Sequence, residues 1–167
     1  MTMQQHERLA LDGQNYPLLD RPLQQCSDPE VSAKVEAIVK NKRMHNTSLR
    51  RNYLGLWSVR DHSLYLDDVQ VLCEKHLASV SPASPQRGLR WLFANAHGPV
   101  AATWVTGTLR LGDGEVARMM FHREWARHIV LTLAAGKVVS VDRVSNEQAF
   151  EECLPNGNRP RRYLDQL

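Results

Sequence analysis

The seven histidines are the first residues to examine for chemistry, because histidine is the commonest metal ligand and a frequent general base. His122 and His128 are the nearest pair, on different predicted strands either side of Trp125. Zinc needs three or four converging ligands, and the chain has no HxH, HExxH or Cys/His set. The histidines are therefore predicted to be surface or strand-face residues, and the sequence implies no metal and no other cofactor.

Patterns for nucleophilic catalysis and phosphate binding are also missing. There is no GxSxG elbow, and the stretch from Gly107 to Gly114 is strand-like in its middle, which predicts a hairpin instead of a phosphate cradle. The three cysteines, Cys26, Cys73 and Cys153, are odd in number, far apart and outside any CxxC pair. No catalytic residue can be named, so an enzyme is left open but not favoured, and the cysteine usage fits a reducing cytoplasm.

Aromatic side chains interleaved with arginines are the remaining chemical signal. Arginines lie near the four tryptophans, which are spread over four predicted strands. The tryptophans are Trp57, Trp91, Trp104 and Trp125. Aromatics beside arginines on a sheet can hold single-stranded nucleic acid, and the same residue types dominate protein interfaces. Filling the core is the plain alternative, and the sequence leaves all three open.

Length and charge describe a single globular domain over residues 1–167. The net charge is +3, with basic residues clustered at 40–51 and in a tail at about 154–167 that is predicted to be irregular. No apolar run approaches the ~20 residues that span a bilayer, and the polar stretch 1–8 predicts no signal peptide. We expect a cytoplasmic protein without membrane contact.

The elements that must position these residues follow from periodicity and turn signals. Asp12-Gly13 predicts a tight hairpin turn, and Asp28-Pro29 starts an apolar stripe of helical spacing that predicts a helix over 29–42. Gly55, inside a strand, suggests a bulge or a close backbone approach. Period-two patterns predict strands at 53–60, 63–69, 89–93, 100–111, 116–124, 127–133 and 137–144, with turns at 61–62, 95–99, 113–114 and 135–136.

These elements predict an α+β protein, mainly antiparallel β, with a meander or barrel-like sheet and one principal helix near 29–42. The strand motifs resemble a family of small bacterial single-domain proteins found beside polymorphic or type VI secretion toxins. The matching motifs are Tyr-Leu-Gly-Leu-Trp at 53–57, Leu-Tyr-Leu at 64–66 and Trp-Val-Thr-Gly-Thr-Leu-Arg at 104–110. The resemblance implies an immunity protein that binds and neutralises a toxin.

Under this hypothesis the contacts lie at strand ends and loops. The candidate partner-binding residues are Arg50, Arg51, Asp61, His62, Arg90 and His97. Their charges would mimic or block the substrate of one toxin partner. Two alternatives remain: a single-stranded nucleic-acid-binding module that uses the tryptophans, and a hydrolase that reverses a toxin modification.

Overall fold

The computed structural model describes residues 4–41, 48–119 and 122–154 of the chain. The strands are β1 (Glu7–Leu11), β2 (Gln14–Leu18), β3 (Tyr53–Arg60), β4 (Ser63–Val71), β5 (Val100–Ala101), β6 (Gly107–Met119), β7 (His122–Ala134) and β8 (Lys137–Ser145). The α-helices are α1 (Pro29–Val39), α2 (Arg87–Leu92) and α3 (Glu147–Glu152), and short 3-10 helices span Pro22–Gln25 and Glu74–Leu77. The predicted α+β class with mainly antiparallel strands is confirmed.

In the described part of the chain, seven strands close into a ring in the order β3-β1-β2-β6-β7-β8-β4, and β4 pairs back to β3. β1 and β3 run parallel, and the other ladders of the described residues are antiparallel. β8 joins β4 at one residue pair, Ser63 with Lys137. Beyond that pair β5 takes the place beside β4, opposite Tyr65 and Leu66. In the other direction the β3–β4 hairpin turns at Asp61–His62, so among the described residues β8 has no second neighbouring strand beyond Lys137.

Three of the tight turns predicted from the sequence, at 12–13, 61–62 and 135–136, are confirmed. Each sets two consecutive residues at positive φ, as a primed hairpin turn requires, and matches the twist of its strands. The pairs are Asp12 (50°) and Gly13 (78°), Asp61 (47°) and His62 (56°), and Ala135 (48°) and Gly136 (75°).

Helix α1 begins as predicted, because Asp28 caps it. The Asp28 carboxylate accepts hydrogen bonds from the backbone N–H groups of Glu30 (2.9 Å) and Val31 (3.2 Å), and Pro29 occupies the first turn. The stripe of Val31, Val35 and Ile38 joins the core inside the ring. The helix ends at Val39, short of the predicted end at position 42, which lies outside the described residues.

Leu89 and its neighbours do not form the strand predicted at 89–93. The segment is helix α2, which lies on β4 and is brought close to it by Gly88, where a Cβ atom would stand 1.7 Å from the Val69 carbonyl oxygen. A short apolar run does not distinguish strand from helix by itself, so packing on β4 decides it.

The hairpin turn predicted at 113–114 is also wrong. β6 continues through Asp113 and Gly114, where its ladder with β7 shifts register and Gly114 has a φ of 78°. The strands pair as far as Met119 and His122, so the predicted strand 116–124 combines the end of β6 with the start of β7. A bulge and a tight turn both favour glycine at positive φ, which explains the error.

Two further boundaries differ from the prediction. The predicted strand 100–111 is broken, because β5 ends at Ala101 and β6 starts at Gly107. The start of the tail forms α3, whose Phe150 and Cys153 pack with Ala117 of β6. The rest of the predicted irregular tail, 155–167, lies outside the described residues.

Candidate functional site

The outer side of β8 is a sheet edge without a second neighbouring strand among the described residues. β8 pairs with β7 along Lys137–Ser145, whereas its pairing with β4 stops at Lys137. At that end the Val138 N–H donates to the His62 carbonyl (2.9 Å), and the Lys137 ammonium donates to the Ser63 hydroxyl (2.7 Å). From residue 139 onward no second strand of the described chain pairs with β8. We call residues 139–145 the β8 edge.

The phase of the β7–β8 ladder decides which backbone groups of the β8 edge point outward. The Asn146 N–H donates to the Ala126 carbonyl of β7 (2.8 Å). Because hydrogen-bonded and non-hydrogen-bonded pairs alternate in an antiparallel ladder, Val144, Asp142 and Ser140 also direct their backbone groups to β7. The N–H and C=O groups of Ser145, Arg143 and Val141 therefore point away from the sheet, as an added strand requires.

Apolar side chains accompany these outward backbone groups. Val139, Val141 and Val144 are 67%, 48% and 47% exposed, which is high for valines in a strand. Val139 is the extra residue of a bulge, because Thr132 pairs with Ser140 and Leu133 with Val138. An exposed, β-branched edge of this kind is a template for pairing with another chain.

Charged groups mark the far end of the β8 edge. Arg143 donates to the Asp113 carboxylate (3.1 Å), which also accepts from Arg127 (3.2 Å). Hydrogen bonding to Tyr16 and the charge of Asp113 raise the pKa of Arg143 above its usual value. The Arg143 guanidinium therefore lies in an ion pair beside the valines.

The six candidate partner-binding residues are dispersed over the structure. Asp61 and His62 are exposed and form the β3–β4 turn at the start of the β8 edge. Arg50 is exposed near the N-terminus of β1, where its backbone N–H donates to the Gln4 side chain (3.2 Å). Arg90 is half-buried on α2, and His97 is exposed in the loop before β5. Apart from sequence neighbours, none of the six contacts another by hydrogen bond, ion pair or ring contact among the described residues.

Arg51, the sixth candidate, is 6% exposed and belongs to a buried polar cluster. Its guanidinium donates to the carbonyls of Tyr53 (3.0 Å) and Gln5 (2.9 Å) and lies 3.4 Å from the Glu7 carboxylate. The other Glu7 oxygen accepts the Trp57 indole N–H at 2.6 Å. The cluster thus links β1 and β3 with the segment that precedes β3.

Burial controls the protonation of this cluster. It raises the pKa of Glu7, although the Trp57 hydrogen bond and the Arg51 charge both lower it. Burial likewise raises the pKa of Tyr53 and lowers that of Arg51. A carboxyl with a raised pKa resembles a general acid, but Glu7 is 1% exposed, so no substrate reaches it in this conformation. The buried cluster therefore holds β1 and β3 in position and does not expose a reacting group to a substrate.

A shallow groove of about 320 Å³ lies between the start of α1 and the segment after α2. Its apolar side is formed by Val31, Leu92 and Val100, and Asp28 and Glu30 stand at its rim. Both acids are engaged, since Asp28 caps α1 and Glu30 pairs with Lys34 at 2.7 Å. The groove fits a small apolar group.

The tryptophans do not share an exposed sheet face. Trp57 and Trp125 are buried in β3 and β7, Trp91 lies on α2, and Trp104 lies in the loop between β5 and β6, where it stacks on Phe93 at 5.6 Å. The stacking platform that the nucleic-acid alternative requires is therefore not assembled. The described residues also contain no group of three or more His, Cys, Asp or Glu side chains that could hold a metal ion.

The exposure of β8 is the feature that sequence reasoning missed. The valine-rich segment 137–144 predicts a strand, which is confirmed, but its valines do not reveal that one side of the strand lacks a neighbour. The sequence signal that could have indicated this exposure is the set of polar residues between the valines, Ser140, Asp142 and Arg143.

No family model, no curated protein and no solved structure matches the chain. Within the described residues, none of the helices has the length and apolar character needed to cross a membrane.

Proposed function

We propose that the protein is a protein-binding module that holds a partner polypeptide along the β8 edge. The observation that carries the proposal is the combination of outward backbone groups at Val141, Arg143 and Ser145 with the exposed valines of the same strand. In strand addition the ladder hydrogen bonds supply affinity, and alternate side chains supply selectivity.

The partner that we propose is a bacterial toxin, which makes this an immunity protein acting in the cytoplasm. The resemblance of the strand motifs to immunity-type proteins supports this choice. An extended toxin segment added to β8 would bury the valines, while the exposed Asp61–His62 turn at one end and Arg143 at the other would offer charged contacts. Binding of this kind neutralises a toxin by covering or distorting its active site, and it requires no catalytic residue.

A protection assay with matched variants tests the proposal. Each secretion-type toxin encoded beside the gene is expressed in a sensitive cell together with the wild-type protein, Val141→Lys or Val39→Lys. Val39 is 38% exposed at the end of α1, away from β8, so its variant adds the same charge at a comparably exposed valine. Val141→Lys buries an unpaired charge in the added ladder, and we expect it to weaken binding about tenfold or more.

The expected result is protection by wild type and Val39→Lys and reduced protection by Val141→Lys. Protection by no variant against any neighbouring toxin removes the immunity proposal. Equal protection by all three proteins moves the binding surface away from β8.

A further inference from the structure

We infer that the partner segment on the β8 edge runs antiparallel to β8 and carries, in chain order, an apolar, an acidic, a basic and an apolar side chain. The inference rests on the proposed function, because it specifies the chemistry of the strand that the β8 edge receives. It follows from the charges of the side chains at 141–144 and from the faces of the sheet on which they lie.

The ladder with β7 assigns these side chains to the two faces of the sheet. Val141 pairs with Leu131, which is fully buried in the core, and paired residues share a face. Val141 therefore lies on the core side of the sheet. Side chains alternate along a strand, so Arg143 lies on the core side too, and Asp142 and Val144 lie on the outer face. All four residues follow the bulge in β8, so the alternation is not interrupted between them.

The core-side face of the β8 edge carries more positive than negative charge. The guanidinium groups of Arg143 and Arg127 both contact the carboxylate of Asp113, at 3.1 and 3.2 Å. Two cations thus share one anion, and both arginine side chains remain more than half exposed. An acidic side chain on the added strand, directly opposite Arg143, supplies the second anion.

The outer face carries the opposite charge at the neighbouring position. Asp142 is exposed, and its carboxylate accepts a hydrogen bond from the Ser140 hydroxyl at 2.9 Å, a contact that leaves the negative charge in place. A basic side chain opposite Asp142 compensates this charge, whereas an acidic one would set like charges against each other. The added strand therefore needs opposite charges at two consecutive positions.

Exposed valines flank the two charged positions. Val144 and Val141 are 47% and 48% exposed, and an apolar side chain opposite each would be buried with it. An antiparallel strand passes the positions opposite 144, 143, 142 and 141 in that order, which gives the sequence apolar, acidic, basic, apolar. We assign the antiparallel direction because its ladder is slightly more stable than a parallel one.

The β3–β4 turn limits where this strand can lie. His62 and Ser63 already occupy the outer side of Val138 and Lys137. The added strand is therefore confined to the positions opposite 140–145, where the outward backbone groups of β8 are available. The four positions that set its sequence fall within this range.

Two peptides of identical composition test the inference. The terminally blocked peptide Thr-Val-Glu-Lys-Val-Thr has the inferred order, and Thr-Val-Lys-Glu-Val-Thr exchanges the two charges. Each is titrated into the isotope-labelled full chain, and the backbone amide signals of Val141 and Ser145 are followed by NMR. We expect both amides to shift, with the Glu-Lys peptide binding about fivefold or more tightly than the Lys-Glu peptide.

A charge-exchanged protein provides the reciprocal test. The double variant Asp142→Lys with Arg143→Glu should prefer the Lys-Glu peptide, and its NMR spectrum shows directly that it is folded. Equal binding of both peptides to the wild type overturns the charge assignment, and tighter binding of the Lys-Glu peptide overturns the antiparallel direction, because that order fits a parallel strand.

Three other results would also overturn the inference. The first is that neither peptide shifts Val141 and Ser145, in which case the protection assay alone decides whether a toxin uses the β8 edge. The second is that these amides shift on dilution of the free protein, which would show a second copy on the edge. The third is that an oligonucleotide shifts them in place of the peptides, which would show a nucleic-acid site.

Discussion

The substitution Gly55→Ala tests the buried link between β1 and β3. A Cβ atom at position 55 would stand 2.4 Å from a carboxylate oxygen of Glu7 and 2.5 Å from the indole nitrogen of Trp57. Those two atoms are joined by a 2.6 Å hydrogen bond, and both side chains are buried, so neither can swing into solvent. The alanine therefore has to separate or displace them.

The size of the effect follows from this geometry. Ordinary contact begins at 3.4 Å, so the carboxylate must retreat by about 1 Å. Forcing a methyl group into a packed interior costs about 1–3 kcal/mol. Loss of a hydrogen bond to a charged group adds about 1.5–3 kcal/mol. We therefore expect Gly55→Ala to lower the free energy of unfolding by about 3–5 kcal/mol.

Urea denaturation followed by tryptophan fluorescence measures this loss. Gly98→Ala is the matched control, because no atom lies within 4 Å of a Cβ at that position and the glycine has no positive φ. The control should unfold at nearly the wild-type midpoint. If Gly55→Ala were as stable as Gly98→Ala, the reasoning about close approach would be refuted.

Three further predictions concern folding stability. Glu7→Gln keeps a hydrogen-bond acceptor for the Trp57 indole. Burial raises the pKa of Glu7 above 4.5, so folding favours the protonated acid. The free energy of unfolding of the wild type should therefore fall relative to that of the variant as pH rises from below 4.5. Unfolding free energies measured against pH test this, and a pH-independent difference contradicts it. Asp28→Ala removes the cap of α1 and should lower the free energy of unfolding by about 1 kcal/mol. A lower urea midpoint would show this loss, whereas an unchanged midpoint would mean that the cap is dispensable. Gly88→Ala should lower the free energy of unfolding by about 3 kcal/mol or more, because its Cβ would collide with the Val69 carbonyl. If the variant unfolded at the same temperature as the wild type, α2 would be shown to move off β4.

Local sequence signals were sufficient to predict the turn, the helix start and the strand in which they lie. Asp12-Gly13 has two residues suited to positive φ, and Asp28-Pro29 combines a cap with a residue fit for the first helical turn, so both positions could be predicted. The strand periodicity around Tyr53–Arg60 was equally informative, because that strand has one face in the core.

Features that depend on distant contacts could not be predicted. Leu89 lies in a helix because β4 supplies a surface that Gly88 allows it to approach. Gly114 sits in a bulge because β7 continues to pair past it. Arg51 looked like a surface residue in a basic cluster, yet Glu7, distant in the sequence, gives it a buried partner. The β8 edge is likewise a property of ring closure, because the β3–β4 hairpin turns at Asp61–His62 and leaves β8 without a second neighbour among the described residues beyond Lys137.

Amide hydrogen exchange of β8, resolved by residue, tests most directly whether this strand is the pairing surface. The protein is measured alone and with any toxin against which it protects. We predict fast exchange at Val141 and Arg143 in the free protein, slow exchange at Asp142 and Val144, which bond to β7, and slowing of Val141 and Arg143 when the toxin is bound. Fast exchange of Val141 and Arg143 under both conditions would contradict the account.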